Sequence, residues 1–372
     1  MIKDQTVPEI LNPRERFGLL VIDEPQDRVP IFPLLTSAAA SLNDVSLRDY
    51  YTNGTIMAKC QLKAQDEFQT DFISIFSEVG IIAEALGSEY YYPENDLPVL
   101  NRPRWTDLEQ AFKNQECLIA AVPEVPDQNF GRLGVYLKAI DYAYQAIADR
   151  VPILAYIPAP FTTAQQLIDP ESLLVSLIDK PDMVKKFLSS VTNAVISFSR
   201  AVIRAGALPI LVDPLASSSV LSPGQYQEFA LPYEKQVINF WHRYDLDVVL
   251  HICGDTAGII NLIPETGADL VSIDRIDLNY ALKTAGNRVR IIGNFDTTTL
   301  WLASPKEIES RVNEMVTRGK TCPRGYVCAT GCEVPLPTPR ENLAAFVRTG
   351  KIAGNYDFPL STKRGNYANC RD

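Results

Sequence analysis

Eight short apolar segments constrain the fold of this 372-residue chain more than any other feature. Each is almost continuously apolar, which is typical of strands that are buried on both faces of a parallel sheet. Longer stretches with helical periodicity separate them, and 182–205 carries one apolar stripe. The predicted strands are 29–34, 72–76, 151–156, 208–212, 248–251, 270–273, 289–292 and 326–329. This alternation predicts a (β/α)8 TIM barrel, with a doubly wound open sheet as the alternative.

The predicted barrel domain covers 29–356 and is a single domain. An N-terminal extension at 1–28 precedes it, with one short helix starting at Asn12-Pro13. A polar C-terminal tail at 357–372 follows it. Ser-Pro pairs at Ser222 and Ser304 predict two helix starts, since serine caps a helix and proline is favoured at its first position. The first of these helices is predicted to run to Tyr244.

The overall charge excludes some classes of function. The chain has 35 Lys plus Arg against 45 Asp plus Glu, a formal net charge of −10. That balance argues against a nucleic-acid-binding surface, and against a substrate with many carboxylates unless a basic pocket exists locally. No apolar run approaches the roughly 20 residues of a membrane-spanning helix, and the first residues do not resemble a signal peptide. Seven cysteines are too few and too scattered for a disulfide framework. We therefore expect a cytoplasmic protein with reduced thiols and no membrane partner.

A His-x-Cys pattern at the end of the fifth predicted strand points to a metal site. His251 and Cys253 are two residues apart, so their side chains project to the same face of a strand. Imidazole and thiolate are suitable zinc ligands, although a buried cysteine and a core histidine would give the same pattern. A third ligand from the eighth strand would leave one position open, as in catalytic zinc sites. Of the cysteines there, Cys328 is expected to point into the barrel layers and Cys322 lies before the strand, which favours Cys332.

Several blocks of sequence resemble the uroporphyrinogen decarboxylase superfamily. The blocks include His-Ile-Cys-Gly-Asp-Thr at 251–256, Gly-Asn-Phe-Asp at 293–296 and Pro-Thr-Pro-Arg-Glu-Asn-Leu at 337–343. The resemblance extends over roughly 13–351 in the same order. It implies a single (β/α)8 barrel.

Two departures place the chain in one branch of that superfamily. The decarboxylases carry an N-terminal Met-Arg-Gln-Ala-Gly-Arg segment, whereas 32–38 contains no arginine here, and their Gly-His pair is Gly331-Cys332 in this chain. The other branch contains corrinoid-dependent methyltransferases similar to methylcobamide:coenzyme M methyltransferase, whose His-x-Cys and later Cys match His251, Cys253 and Cys332. This resemblance implies Zn²⁺ and transfer of a methyl group between a methylcobamide and a small substrate, with a thiol favoured. The direction of transfer is open.

The resemblance also suggests partners. The chain has no Asp-x-His-x-x-Gly motif of a cobalamin-binding module, so the cobalamin would be carried by a separate corrinoid protein. The second partner is a small-molecule methyl donor or acceptor. Decarboxylases of the family form dimers, which makes a homodimer an option here.

Five further residues are candidates for the site. Asp213, after the fourth strand, is predicted as a catalytic acid or substrate anchor, and the alternative is that it caps a loop. Asn294 and Asp296 are predicted to bind substrate, with a turn and a helix cap as the alternative. Thr162, within a family block, is predicted to bind substrate. Glu78, after the second strand, is predicted as a fourth zinc ligand that substrate displaces.

Two other functions remain open at this point. One is metal-free decarboxylation of a tetrapyrrole, which would require arginines around the barrel mouth. The other is a non-catalytic barrel in which zinc only braces two strands and which docks a corrinoid protein. A fourth fixed Cys or His ligand would favour this last function.

Overall fold

The computed structural model describes residues 9–113 and 131–356. Eight parallel strands form a nearly closed barrel with helices around it. The ten strands are β1 Ile31–Leu34, β2 Ile73–Ile75, β3 Glu89–Tyr91, β4 Val99–Arg102, β5 Ile153–Pro158, β6 Leu208–Val212, β7 Val249–His251, β8 Leu270–Ser272, β9 Arg290–Phe295 and β10 Tyr326–Glu333. In the barrel the order is β1-β10-β9-β8-β7-β6-β5-β2, while β3 and β4 form a separate antiparallel pair.

Sixteen α-helices lie within the described residues. They are α1 Pro13–Val21, α2 Ala38–Ser41, α3 Leu47–Thr52, α4 Gly54–Phe68, α5 Ile81–Ala85, α6 Leu108–Lys113, α7 Gly131–Ile147, α8 Pro160–Leu167, α9 Pro170–Asp179, α10 Pro181–Arg204, α11 Pro223–Phe229, α12 Leu231–His242, α13 Leu278–Ala285, α14 Thr297–Leu302, α15 Pro305–Gly319 and α16 Arg340–Gly354. None of the described helices is both long and apolar enough to cross a lipid bilayer.

The predicted barrel is confirmed, and each of its eight strands overlaps a predicted segment. The main difference is at the carboxyl ends of β9 and β10, which continue three and four residues beyond the predicted ends at 292 and 329. Gly293 and Gly331 lie in these extensions, and their weak strand propensity explains why the sequence pattern stops early. Cys332 therefore belongs to β10 itself.

One predicted helix is two helices. The segment that begins at Ser222 is interrupted at Ala230, between α11 and α12, so the prediction of one helix to Tyr244 is wrong. Pro232 explains the break, because proline has no backbone N–H to donate to the preceding turn. Both serine caps are confirmed, with the Ser222 and Ser304 hydroxyls each accepting a hydrogen bond from a backbone N–H three residues later.

Side chains that point into the barrel form an apolar core that stops short of the mouth. Val249, Leu270, Ile292, Val327 and Ala329 belong to this inner cluster, and Phe17 and Leu20 of α1 pack with it. The sheet's other face packs against the helices. Cys328 lies in that outer layer, near Gly350 of α16, and not in the barrel interior as expected.

β1 and β2, the first and last strands in the sheet order, are linked by one aspartate, Asp71. The Asp71 N–H donates to the Ile31 carbonyl at 3.0 Å, and the Ile31 N–H donates to the Asp71 carboxylate at 2.6 Å. Arg16 of α1 and Arg28 pair with the same buried carboxylate at 2.5 and 2.6 Å. The predicted N-terminal extension thus contributes directly to closing the barrel.

Candidate metal centre

Three predicted ligands meet at the carboxyl ends of the barrel strands. His251 ends β7, Cys253 follows two residues later, and Cys332 comes from β10, which β8 and β9 separate from β7 in the sheet. One ligand atom from each lies within 4.8 Å of the others, and His251 Nε2 is 3.0 Å from Cys253 Sγ. No other group of three His, Cys, Asp or Glu side chains with this spacing occurs among the described residues.

The donor set fits zinc. Zinc bonds of about 2.0 to 2.3 Å in tetrahedral geometry separate neighbouring ligand atoms by roughly 3.3 to 3.8 Å. The three atoms are already grouped on that scale. One nitrogen and two sulfur donors, with no fourth protein ligand in the described part of the chain, match the donor number of a catalytic site.

A serine on β8 orients the imidazole. His251 is buried, and its Nδ1 lies 2.9 Å from the Ser272 hydroxyl. With Nδ1–H donating to that oxygen, the lone pair of Nε2 faces the two thiols. Outer hydrogen bonds of this kind fix the tautomer and the ring orientation of metal-binding histidines.

The two cysteines differ in acidity. A hydrogen bond from the Cys253 thiol stabilises the Cys332 thiolate, and with His251 nearby this lowers the pKa of Cys332 to about 4 although burial opposes the shift. The same hydrogen bond, together with burial, raises the pKa of Cys253. Cys332 is therefore the thiolate of the pair, and the thiolate is the form that binds a metal.

Asp274, which sequence reasoning missed, lies between the two cysteine segments. Gly254, next to Cys253, has φ of 78° and donates its N–H to the Asp274 carboxylate at 2.8 Å. On the other side, a Cβ placed on Gly331, next to Cys332, would be only 2.6 Å from the same carboxylate. Burial raises the pKa of Asp274. The available signal was its spacing of two residues from Ser272, which puts both on one face of β8.

Glu333 is a second missed residue. It directly follows Cys332 at the end of β10, after a register shift in the pairing of β10 with β1 that interrupts the regular alternation of the strand. The Glu333 carboxylate accepts a hydrogen bond from the Thr36 hydroxyl, after β1. Burial and the neighbouring Cys332 raise the pKa of Glu333 to about 7. Because the predicted strand ended at 329, four residues before Glu333, the apolar pattern did not indicate that this side chain lies near the ligands.

Asp213 and Thr162 contact each other in a fully buried position. The Asp213 carboxylate accepts hydrogen bonds from the Thr162 N–H at 2.9 Å and from its hydroxyl at 2.6 Å. The carboxyl group of Glu234 in α12 lies close to that of Asp213 and accepts from Tyr226 at 2.6 Å, and the other oxygen of each carboxyl is buried without a partner, so a proton shared between them would join the pair. Burial raises the pKa of Asp213 to about 6, and burial and Asp213 raise that of Glu234. These surroundings favour the capping alternative for Asp213.

Asn294 lies near the end of β9 and Asp296 directly follows that strand, on the outside of the barrel. Asn294 donates to the backbone carbonyls of Asp274 and Ile276 at 2.8 and 2.7 Å. Asp296 is exposed and caps α14 by accepting from the Thr299 N–H at 2.6 Å. Both also line a cavity of about 360 Å³. Their hydrogen bonds match the turn and cap alternative, and substrate binding stays a prediction.

The structure does not bring Glu78 to the three ligand atoms. Its carboxylate is held by Arg132 of α7, at 2.7 and 2.9 Å, and by the Ser77 hydroxyl at 2.7 Å. Arg132 also lies 3.4 Å from Glu84 and stacks over the Tyr92 ring. In this arrangement Glu78 is part of an ion-pair cluster, and its role as a metal ligand stays a prediction.

The fold and this cluster define a class: a (β/α)8 barrel with a His-Cys-Cys group, able to hold a metal ion, at the carboxyl ends of its strands. The uroporphyrinogen decarboxylase (URO-D) family model matches residues 12–351, and the chain belongs to that family. This confirms the resemblance seen in the sequence, and members of both branches are among its relatives.

The relatives and solved structures support the same assignment. A methylcobamide:CoM methyltransferase of Methanosarcina mazei is 29% identical over 59% of this chain and 64% of its own length, so the match spans just under two thirds of that relative. A uroporphyrinogen decarboxylase of Trichodesmium erythraeum is 27% identical over 82% of this chain and 84% of its own. The structure of a methyltransferase from Methanosarcina mazei has a TM-score of 0.79 and 24% identity, covering 91% of this chain and 98% of that one. That likeness shows the shared fold.

Proposed function

We propose that this protein is a zinc-dependent methyltransferase that moves a methyl group between a methylcobamide on a separate corrinoid protein and a small thiol. The observation that carries the proposal is the group of His251, Cys253 and Cys332, with three donors and no fourth in the described residues. The methylcobamide:CoM methyltransferase relative supports the same reaction class.

The residues around the cluster have separate roles in this proposal. The two cysteines and His251 would hold the zinc, and Ser272 keeps the imidazole nitrogen directed at it. A bound zinc ion would supply the positive charge that lets a substrate thiol lose its proton near neutral pH. Two thiolates and a neutral imidazole offset that charge, which favours a nucleophilic sulfur over a strongly polarised one.

The site is poorly suited to decarboxylation of a tetrapyrrole that carries several carboxylates. Segment 32–38 contains no arginine, and Arg132 next to the end of β2 is already paired with Glu78 and Glu84. Near the cluster lie two carboxylates, Asp274 and Glu333, and the cation beside Asp274, Arg275, is exposed. A purely structural zinc would normally have four protein ligands, and three are brought together here.

Metal content and methyl transfer test the proposal together. We expect about one zinc per chain in the purified protein. We also expect methylation of a thiol by methylcobalamin, used in place of the corrinoid protein. Cys332→Ser should lose both zinc and transfer. Cys322→Ser is the matched control, because this buried cysteine lies outside the cluster. Full zinc content and transfer in Cys332→Ser would refute the proposal.

A further inference from the structure

We propose that Glu333 binds a positively charged group of the small substrate, so that the substrate is an aminothiol and not a thiol with an acidic tail. This inference rests on the proposed thiol methyltransferase function. It adds a substrate class and the residue that selects it.

The position of Glu333 is suited to contact with substrate. It directly follows the ligand Cys332 at the carboxyl end of β10, and the hydrogen bond from Thr36, just after the end of β1, holds its side chain at the rim of the barrel where the ligands lie. One carboxylate oxygen accepts from the Thr36 hydroxyl, which fixes the group's orientation. The other oxygen makes no hydrogen bond to the described residues, and it is not among their fully buried unpartnered atoms. That oxygen is therefore available to a ligand in the mouth.

No protein cation neutralises this carboxylate in the described part of the chain. None of the ion pairs there, up to 4.0 Å, includes Glu333 or Asp274. Arg132, the buried arginine beside β2, is held by two other glutamates. The mouth is thus acidic near the ligands.

A cationic substrate group would complete this arrangement. A partly buried carboxylate without a cation is unfavourable, and a hydrogen-bonded ammonium group offsets that cost. Since Cys332 and Glu333 are consecutive, an ammonium group a few bonds from the substrate sulfur can reach the carboxylate while the sulfur lies beside the ligands. A sulfonate or carboxylate in the same place would meet Glu333 and Asp274 with like charge.

Three thiols of similar length separate these cases: cysteamine, 2-mercaptoethanol and 2-mercaptoethanesulfonate. Each is titrated into protein loaded with Co²⁺, whose thiolate absorption band reports binding without any methyl transfer. We expect cysteamine to bind about tenfold more tightly than 2-mercaptoethanol, and the sulfonate to bind most weakly. In Glu333→Gln the preference for cysteamine over 2-mercaptoethanol should be lost. Glu341→Gln is the matched control, because Glu341 is exposed at the start of α16, and it should keep the preference.

The outcomes separate this inference from the proposed function. Equal binding of the three thiols, tighter binding of the sulfonate, or an unchanged preference in Glu333→Gln would overturn the role of Glu333. A parallel assay with methylcobalamin tests methyl transfer to the same thiols. Transfer without selectivity would leave the function intact and refute the inference. Selective, Glu333-dependent binding without transfer to any thiol would support the inference and contradict the function.

Discussion

Replacing Glu234 with glutamine should change how the stability of the protein depends on pH. Glu234 and Asp213 form a buried carboxyl pair, and no Lys, Arg or His of the described residues forms an ion pair with either. The pKa of Glu234 in the folded protein is raised by burial and by Asp213. In the unfolded chain it returns to about 4.3. The folded state therefore holds a proton that the unfolded state releases.

The sign of the effect follows from this difference. Between the two pKa values the folded state binds more protons, so the free energy of unfolding falls as pH rises. One extra proton sets an upper limit of about 1.4 kcal/mol per pH unit, or about 3 kcal/mol between pH 6 and pH 8. In Glu234→Gln the amide N–H₂ can donate permanently to Asp213, while the amide oxygen accepts from Tyr226. The variant should lose this part of the pH dependence and gain stability relative to the native protein as pH rises.

Urea unfolding at pH 6, 7 and 8 measures the effect. The difference in unfolding free energy between Glu234→Gln and the native protein should increase in favour of the variant across this range, by at most about 3 kcal/mol. The metal ligands are the same in both proteins, so their own pH dependence cancels in the difference. Glu228→Gln is the control, because Glu228 is exposed and paired with Lys185. Parallel curves for the variant and the native protein would show that the buried pair holds no extra proton.

Two further variants test the residues that position the proposed metal ligands. Ser272→Ala should weaken zinc binding by about tenfold, measured by competition with a chelator, because the Nδ1 hydrogen bond that orients His251 is lost; unchanged affinity would mean that packing alone orients the ring. Gly331→Ala should also lower zinc affinity, since its Cβ would clash with the Asp274 carboxylate and displace the Cys332 segment. Gly224→Ala, where nothing lies within 4 Å of the new Cβ, should bind zinc normally.

The sequence was sufficient to predict the barrel and its three candidate ligands. Strands buried on both faces give continuous apolar runs, and eight such runs between helices leave few alternatives. Because all parallel strands end at one rim, His251 and Cys332 could be brought together before the sheet order was known. The break at Ala230 also had a visible signal in Pro232, which the prediction of one helix from Ser222 to Tyr244 did not use.

The rest of the site depends on contacts between segments that are distant in the chain. Asp274 lies between Gly254 and Gly331, and only the fold brings these three distant positions together. Glu78 looked available as a ligand because the sequence gives no indication that Arg132, more than 50 residues away, holds its carboxylate. Local sequence patterns predict the face of the strand or helix from which a side chain projects. They do not predict which side chain of a distant segment contacts it.

The strand order and the apolar interior explain why the three ligands lie at the mouth of the barrel and not deeper inside it. β8 and β9 separate β7 from β10, so their side chains can meet only across the barrel interior. One step below the ligands that interior is filled by apolar side chains, including Val249, Leu270, Ile292 and Val327. The site therefore has an apolar layer beneath the ligands, which excludes water from that side. Two carboxylates, Asp274 and Glu333, lie close to the ligands. A sulfur nucleophile bound between them would be shielded from water on one side, while its charged tail would meet the acidic groups that select it.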